Sequence, residues 1–305
     1  MPLPFSLHRF PLWAPCRTFT RLAVLCLGLS LGLWLSGCAS SAPAGYQPRL
    51  GQAGKDVMWL PTRDALLTRM LQVAQVGPDD LLADLGAGDG KILIAAAREH
   101  GARALGVEYD PRLARLAREN AARAGVAERV TVIEGDIFKT DFSQASVVSL
   151  YLLEELNQQL RPTLLAMKPG TRIVSNTFSM GDWEPDQVIQ AGHLTAYYWK
   201  VPARVEGQWS LQGLGPGTAV MHLVQRHQRL SGTLNLDGVQ QPLLGARLEG
   251  AQLMFSFVDR DGRLQPARAH VDGSRLQGQV LAPYGSHDVP TAAVPFAGVR
   301  VEGPR

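Results

Sequence analysis

The stretch Leu81-Leu82-Ala83-Asp84-Leu85-Gly86-Ala87-Gly88-Asp89-Gly90-Lys91-Ile92-Leu93-Ile94-Ala95-Ala96-Ala97 decides the fold. A short apolar run, glycines at alternate positions and a helical pattern follow one another, which reads as strand, tight turn and helix. Glycine has no Cβ, so the backbone turns sharply there and approaches a bound molecule closely. The first turn of the helix aims unpaired N–H groups at whatever occupies the turn. In an open α/β sheet such a place, outside the carboxyl end of a strand, is a nucleotide site. The spacing is G-x-G-x-G, not G-x-G-x-x-G, and no Lys-Ser or Lys-Thr pair follows it. Both a dinucleotide pyrophosphate site and a P-loop are disfavoured, and the turn suits a ligand without phosphate.

Two more acids complete the pattern. Glu108 ends the next apolar run, Ala104-Leu105-Gly106-Val107, and Asp136 follows Val130-Thr131-Val132-Ile133. An acid at the tip of a second parallel strand is placed to accept hydrogen bonds from ribose hydroxyls. An acid after the third strand can accept from an adenine amino group. Asp84 can sit near an ammonium or sulfonium group, where a carboxylate is favoured by charge. Together they describe a cationic adenosine ligand with an amino-acid tail, S-adenosylmethionine.

On these residues the chain resembles the class I (seven-β-strand) methyltransferases. Further segments narrow the likeness: Trp59-Leu60-Pro61-Thr62, Ser149-Leu150-Tyr151-Leu152-Leu153, Lys168-Pro169-Gly170-Thr171-Arg172-Ile173-Val174-Ser175 and Met180-Gly181-Asp182-Trp183-Glu184-Pro185-Asp186. This series is similar to the branch containing mitochondrial lysine methyltransferases of the ATP-synthase c-subunit and the adenine nucleotide carrier, with bacterial relatives. That branch is distantly similar to the non-SET histone lysine methyltransferases. The resemblance covers residues 56–200 and implies a Rossmann-like seven-stranded sheet. It also implies S-adenosylmethionine as methyl donor and a protein lysine as acceptor. By the same resemblance Asp84, Gly86, Gly88 and Gly90 form the donor loop and Asp89 contacts the methionine portion. Glu108 holds the ribose, and Asp136, with Ile137 packed on the base, holds the adenine.

The acceptor side is read less sharply. Tyr151 stands where the class places its loop after the fourth strand, although Leu150-Tyr151-Leu152-Leu153 replaces the Asn/Asp-Pro-Pro-Tyr of many amine-modifying members. Tyr151 either orients and desolvates an amine or packs under the lip of the site. Asn176 either bonds the acceptor or closes a turn. Trp183 either walls a lysine channel or anchors a loop.

At 305 residues, 46% hydrophobic, the chain can fill one or two domains. Residues 62–76 read as an amphipathic helix capped by Thr62. Strand and helix patterns then alternate over 81–85, 91–99, 103–107, 111–124, 130–133, 146–151, 154–167 and 171–177, the signature of a parallel sheet. After residue 200 the period drops to two. Five copies of R-[LV]-x-G, from Arg204-Val205-Glu206-Gly207 to Arg300-Val301-Glu302-Gly303, suggest successive hairpins of an all-β meander or barrel over 201–305.

The first 37 residues read as a leader. Arg17 and Arg21 precede an apolar stretch from Leu22 to Leu35, about the length of a signal-peptide core. Leu35-Ser36-Gly37-Cys38 resembles a bacterial lipoprotein box, with Cys38 as the lipidated first residue and 38–55 as a flexible tether. An uncleaved single-span anchor is the alternative. The expected location is the cell envelope, at the inner or the outer membrane. Positive residues ahead of the core place the following domain outside the cytoplasm, whereas S-adenosylmethionine is made inside. The two expectations pull apart.

Several functions are disfavoured. The formal net charge of +3 comes from Arg9, Arg17 and Arg21 of the leader, and the rest carries 27 basic and 27 acidic residues, so nucleic-acid binding is not expected. Cys16 and Cys26 lie in the leader, leaving no thiol for a disulfide or nucleophile. His222 and His227, five apart on one presumed strand, point to opposite faces, and no metal site is expected. The alternative to an enzyme is a non-catalytic envelope lipoprotein that keeps the fold and binds through its β domain.

Overall fold

Seven strands form the first sheet: β1 Leu81–Leu85, β2 Arg103–Glu108, β3 Val130–Glu134, β4 Val147–Leu150, β5 Arg172–Asn176, β6 Gln187–Ala191 and β7 Leu194–Lys200. Their order is β3-β2-β1-β4-β5-β7-β6, in a computed structural model that describes residues 46–215, 217–281 and 293–301. The leader, Cys38 and the first part of the tether lie outside the described residues, as does His287. The pairs β1–β2, β1–β4, β2–β3 and β4–β5 are parallel, and β7 runs antiparallel to both β5 and β6.

Helices α1 Asp64–Val73, α2 Lys91–His100, α3 Pro111–Arg123 and α4 Glu154–Leu165 cover the sheet. All four residues of β4 are buried, as a parallel sheet covered on both faces requires. The strand order reverses between β1 and β4, and in such sheets the crevice at that switch point takes the ligand. Pro111 opens α3, and the Asp110 side chain accepts from the Arg112 N–H at 2.8 Å as its cap.

The expected cap of α1 is corrected. Arg63 precedes the helix with no side-chain cap bond, while Thr62 is buried with its hydroxyl accepting from Asn176 Nδ2 at 3.2 Å. A hydroxyl spent on the neighbouring strand is not free to cap. Residues 46–55, expected within the tether, fold back instead. Trp59 N donates to Gln52 O at 2.8 Å, Gly51 N to Trp59 O at 3.1 Å, and Ala53 bridges Met58, which makes a small hairpin.

The second sheet comprises β8 Gly207–Gln212, β9 Ala219–Arg226, β10 Arg229–Leu236, β11 Val239–Pro242, β12 Leu244–Glu249, β13 Gln252–Val258, β14 Leu264–Asp272, β15 Arg275–Val280 and β16 Val294–Val301. β9 pairs with both β8 and β10, so eight strands close into a barrel, with β11 appended to β10. Its interior is filled by side chains such as Trp209, Met221, Leu253, Phe257 and Phe296, and is a core rather than a channel.

The R-[LV]-x-G copies do not mark one repeated place. Those at Arg229 and Arg275 open strands after tight turns, whereas Arg247–Gly250 closes β12. The glycines serve two different needs. Gly207 and Gly250 have positive φ, while a Cβ at Gly232 or Gly278 would run into a backbone carbonyl of the adjacent strand.

Tyr46–Arg305 form one compact unit in which sheet and barrel are joined directly. Ala203 N donates to Gly250 O at 2.8 Å, and Lys200 pairs with Glu249 at 2.6 Å. Among the described residues no helix is long and apolar enough to cross a membrane.

Candidate active site

The carboxyl end of β1 runs into the glycine turn, where Gly86, Gly88 and Gly90 have φ of +86°, +57° and +82°. These values lie in the region that L side chains avoid, which is why glycines alternate here. The N–H groups of Gly86 and Ala87 both donate to Val107 O, at 2.9 and 3.1 Å, and tie the turn to β2. A Cβ on Gly88 would lie 2.8 Å from the Trp59 indole nitrogen, and one on Gly86 3.3 Å from Leu152. The turn is thus a cradle with no room to spare. Gly90 does not line the cleft. It caps α2, and a Cβ there would meet Ala117 at 3.0 Å, so its smallness lets α2 pack on α3.

A cleft opens above this cradle, with about 1020 Å³ of free space counting the part open to solvent. Asp84, Gly86, Gly88, Asp89, Glu108, Asp136, Ile137 and Tyr151 all line it. Residues from the ends of four strands therefore meet in one place. Glu108 is pinned: Oε2 accepts from Gly88 N at 2.8 Å and Oε1 from Asp110 N at 2.9 Å. A carboxylate offers about four acceptor positions, so capacity remains for a vicinal diol. Asp136 Oδ1 accepts from Phe138 N at 3.0 Å, and its Oδ2 faces Lys55 Nζ at 3.2 Å.

The electrostatics favour a cation. Six carboxyl groups and two lysines line the cleft. Burial pushes the Asp84 carboxyl up to about 8, and the charges of Glu108 and Asp89 add to the shift. Burial also raises Glu108 and Asp89. Asp136 is held low by the Phe138 N–H and by Lys55. A positively charged ligand would stabilise the ionised forms of the buried acids. Cradle, pinned carboxylate and surplus acid together fit an adenosyl sulfonium.

The other end of the cleft is apolar, with Tyr151, Leu152 and Leu156. The Tyr151 ring lies 6.5 Å from that of Phe178. Asn176 is not among the lining residues. Buried at the end of β5, it donates to Thr62 and accepts from the Thr177 hydroxyl at 2.9 Å, so it braces the strap that leads into α1. Trp183 is fully buried away from the cleft, its indole N–H donating to Gln228 of the barrel at 3.0 Å. It is an anchor and not a channel wall.

Residues that the sequence did not assign to the site complete it. The hairpin 51–59 and its continuation lay Lys55, Val57, Trp59 and Leu60 along the cleft, and the Lys55 ammonium sits 5.0 Å over the Tyr109 ring. Lys91 donates to Thr62 O and pairs with Asp64, both at 2.7 Å, which fixes the start of α1 to the glycine turn. Gly51 and Gly54 were the available turn signals.

The chain is similar in sequence to known methyltransferases. The family described as the ANTKMT methyltransferase domain matches residues 84–187. A protein-lysine N-methyltransferase of Saccharolobus islandicus is 40% identical over 136 residues, which are 44% of this chain and 84% of that one. The mouse adenine nucleotide translocase lysine N-methyltransferase is 38% identical over 113 residues, 36% of this chain and 49% of its own length. This chain thus spans about half the length of the mouse relative. A solved RNA methyltransferase from Salinibacter ruber, in complex with S-adenosyl-L-homocysteine, is 48% identical over 48% of this chain and 96% of that chain, with a TM-score of 0.47.

Proposed function

This chain belongs to the class I S-adenosylmethionine-dependent methyltransferases, and on that premise we propose that it methylates lysine side chains of a protein. The observation that carries the acceptor is the 40% identity over 136 residues to an archaeal protein-lysine N-methyltransferase. The cleft supports the same reading. Its acidic end holds the donor and its apolar end, at Tyr151 and Leu156, receives the amine.

S-adenosylmethionine supplies a methyl group on a sulfonium, ready for direct displacement. The protein's task is alignment and exclusion of water. Glu108 orients the ribose, Asp136 and Ile137 seat the base, and Asp84 and Asp89 attract the cationic tail. A protonated lysine has no lone pair to attack with. Passage beside Tyr151, Leu152 and Leu156 strips water from the amine and favours its neutral form. Loss of the sulfonium charge after transfer weakens the hold of the acidic wall on the product.

Mass spectrometry of protein digests from wild-type and deletion cells tests the acceptor. Lysine methylation present in the first and absent in the second is the expected result. Loss of a methyl group from another species, with every lysine unchanged, would overturn it. We further propose that Cys38 carries a lipid anchor in the cell envelope, on its small-residue context after an apolar core. Labelled palmitate should enter the wild type and not Cys38→Ala, and equal labelling would refute the anchor.

A further inference from the structure

The segment between β5 and β6 touches two parts of the molecule at once. At one end, Phe178 backs Tyr151 at the apolar end of the cleft. Its backbone is held from α4: Asn157 Nδ2 donates to Phe178 O at 3.2 Å and Ser179 O at 3.1 Å, and Arg161 donates to Met180 O at 2.9 Å. At the other end the same segment meets the tight turn between β9 and β10, residues Arg226-His227-Gln228-Arg229.

That contact is specific. Gln228 reads the segment with both ends of its amide, accepting from Trp183 Nε1 at 3.0 Å and donating to Glu184 O at 2.7 Å. The His227 ring stacks on Trp183 with centroids 5.9 Å apart. Arg226 pairs with Asp182 at 3.2 Å, and Arg229 pairs with Glu184. Four consecutive residues of one turn thus engage three consecutive residues of the other segment. The turn also carries backbone strain, since His227 has φ of +52°. Such strain persists where the surroundings enforce it. Gln225 enforces it here: its Nε2 donates to His227 O at 2.7 Å and to Ala203 O at 2.8 Å.

We infer that the β9–β10 turn of the barrel is a positioning element for methyl transfer, holding segment 177–184 so that Phe178 and Tyr151 shape the acceptor end of the cleft. This rests on the reading of that end as the acceptor side. The donor end is built from β1, β2, β3 and the hairpin 51–59, none of which touches the turn through these bonds. Breaking the turn contacts should therefore separate the two halves of the reaction, sparing donor binding and impairing transfer.

Two variants of the full chain test this. Gln228→Leu keeps the volume and removes both amide bonds. Arg226→Ala/Arg229→Ala removes two exposed ion pairs, which cost little stability and so guard against simple misfolding. Three readouts are compared with wild type: hydrogen exchange of amides 178–184, calorimetric affinity for S-adenosylhomocysteine, and the rate of tritiated methyl transfer from S-adenosylmethionine to an extract of deletion cells. Exchange should rise by about tenfold, affinity should stay within about twofold, and transfer should fall by about tenfold. Arg226→Lys/Arg229→Lys should recover most of the rate. Unchanged exchange, or faster exchange with full transfer, would overturn the inference, as would an equal loss of donor affinity and rate. If the wild type labels nothing in the extract, the proposed acceptor falls, and unchanged exchange or a loss of donor affinity would still overturn the role of the turn.

Discussion

Replacing Asp84 by Asn probes the electrostatics of the acidic cleft directly. Burial raises the Asp84 pKa from 3.8 to about 8 in the folded chain. In the unfolded chain the same group titrates near 3.9. Between these values the folded, ligand-free protein retains a proton that the unfolded chain has released. The contribution of Asp84 to stability is thus fully present below the unfolded value and is lost as pH rises through about 8, at about 1.4 kcal/mol per pH unit. Asn has nearly the same shape and does not titrate. The stability advantage of Asp84→Asn over wild type should therefore grow by about 1.4 kcal/mol per unit between about pH 5 and 8, then level off. For a chain of this size that is roughly 2–3 °C of melting temperature per unit. Thermal unfolding of both proteins without ligand, in half-unit steps of pH, reads the slope. Burial raises Glu108 and Asp89 too, and because their charges act on Asp84 the difference reads the coupled titration of the three acids, with Asp84 setting most of its slope. A bound sulfonium or ammonium reverses the preference of Asp84. S-adenosylmethionine binding near pH 7 should expel close to one proton from it, seen as a dependence of the calorimetric heat on buffer ionisation enthalpy. Asp84→Asn should lack that release. A stability difference that stays flat across the window would mean that Asp84 is already ionised in the folded chain, and the argument would fail.

Other outcomes follow from the same site. Glu108→Ala should abolish calorimetric binding of S-adenosylhomocysteine, because it removes the diol acceptor and frees the Gly88 and Asp110 N–H groups; a folded variant with wild-type affinity would remove Glu108 from the ribose role. Gly88→Ala forces an L side chain into left-handed backbone, at about 1–2 kcal/mol, and against Trp59, so affinity should drop at least about tenfold. Adding Trp59→Ala should recover the part due to collision, and no recovery would assign the whole loss to the backbone. Lys55→Ala should leave stability nearly unchanged, since the pair with Asp136 is partly exposed. It should speed donor association in stopped flow by uncapping Asp136, and an unchanged rate would show that the ammonium and the adenine do not compete.

Much of the acidic end of the cleft was legible because its geometry is local. A glycine turn carries its own backbone requirement, and an acid just past an apolar run must fall at a sheet edge if the run is a parallel strand. That Asp84, Glu108 and Asp136 converge on one cleft follows from the place of each at or just past the end of such a run. The hairpin over the cleft was hidden because its decisive bond joins Lys55 to Asp136, 81 positions apart, with no periodicity to announce it. Asn176 was open to two readings for a similar reason. Its partner Thr62 lies 114 residues upstream, and a buried amide looks the same in sequence whether it faces a substrate or a neighbouring strand. Trp183 needed Gln228 of the barrel to explain it. The R-[LV]-x-G pattern announced the hairpins of the barrel without marking one repeated place in them, because glycine answers both a turn and a close approach between strands.

The barrel begins and finishes on adjacent staves. Gln208 of β8 lies opposite Val301 of β16, and Arg300 reaches back across this seam to the Arg204 carbonyl while its guanidinium stacks 4.9 Å over Trp209. A module whose two termini share one corner can be grafted, exchanged or rotated in chain order with little disturbance to its host. A fluorophore attached at Val301 would accordingly ride beside the link from Val201 to Glu206 and report strain at the joint between catalyst and appendage.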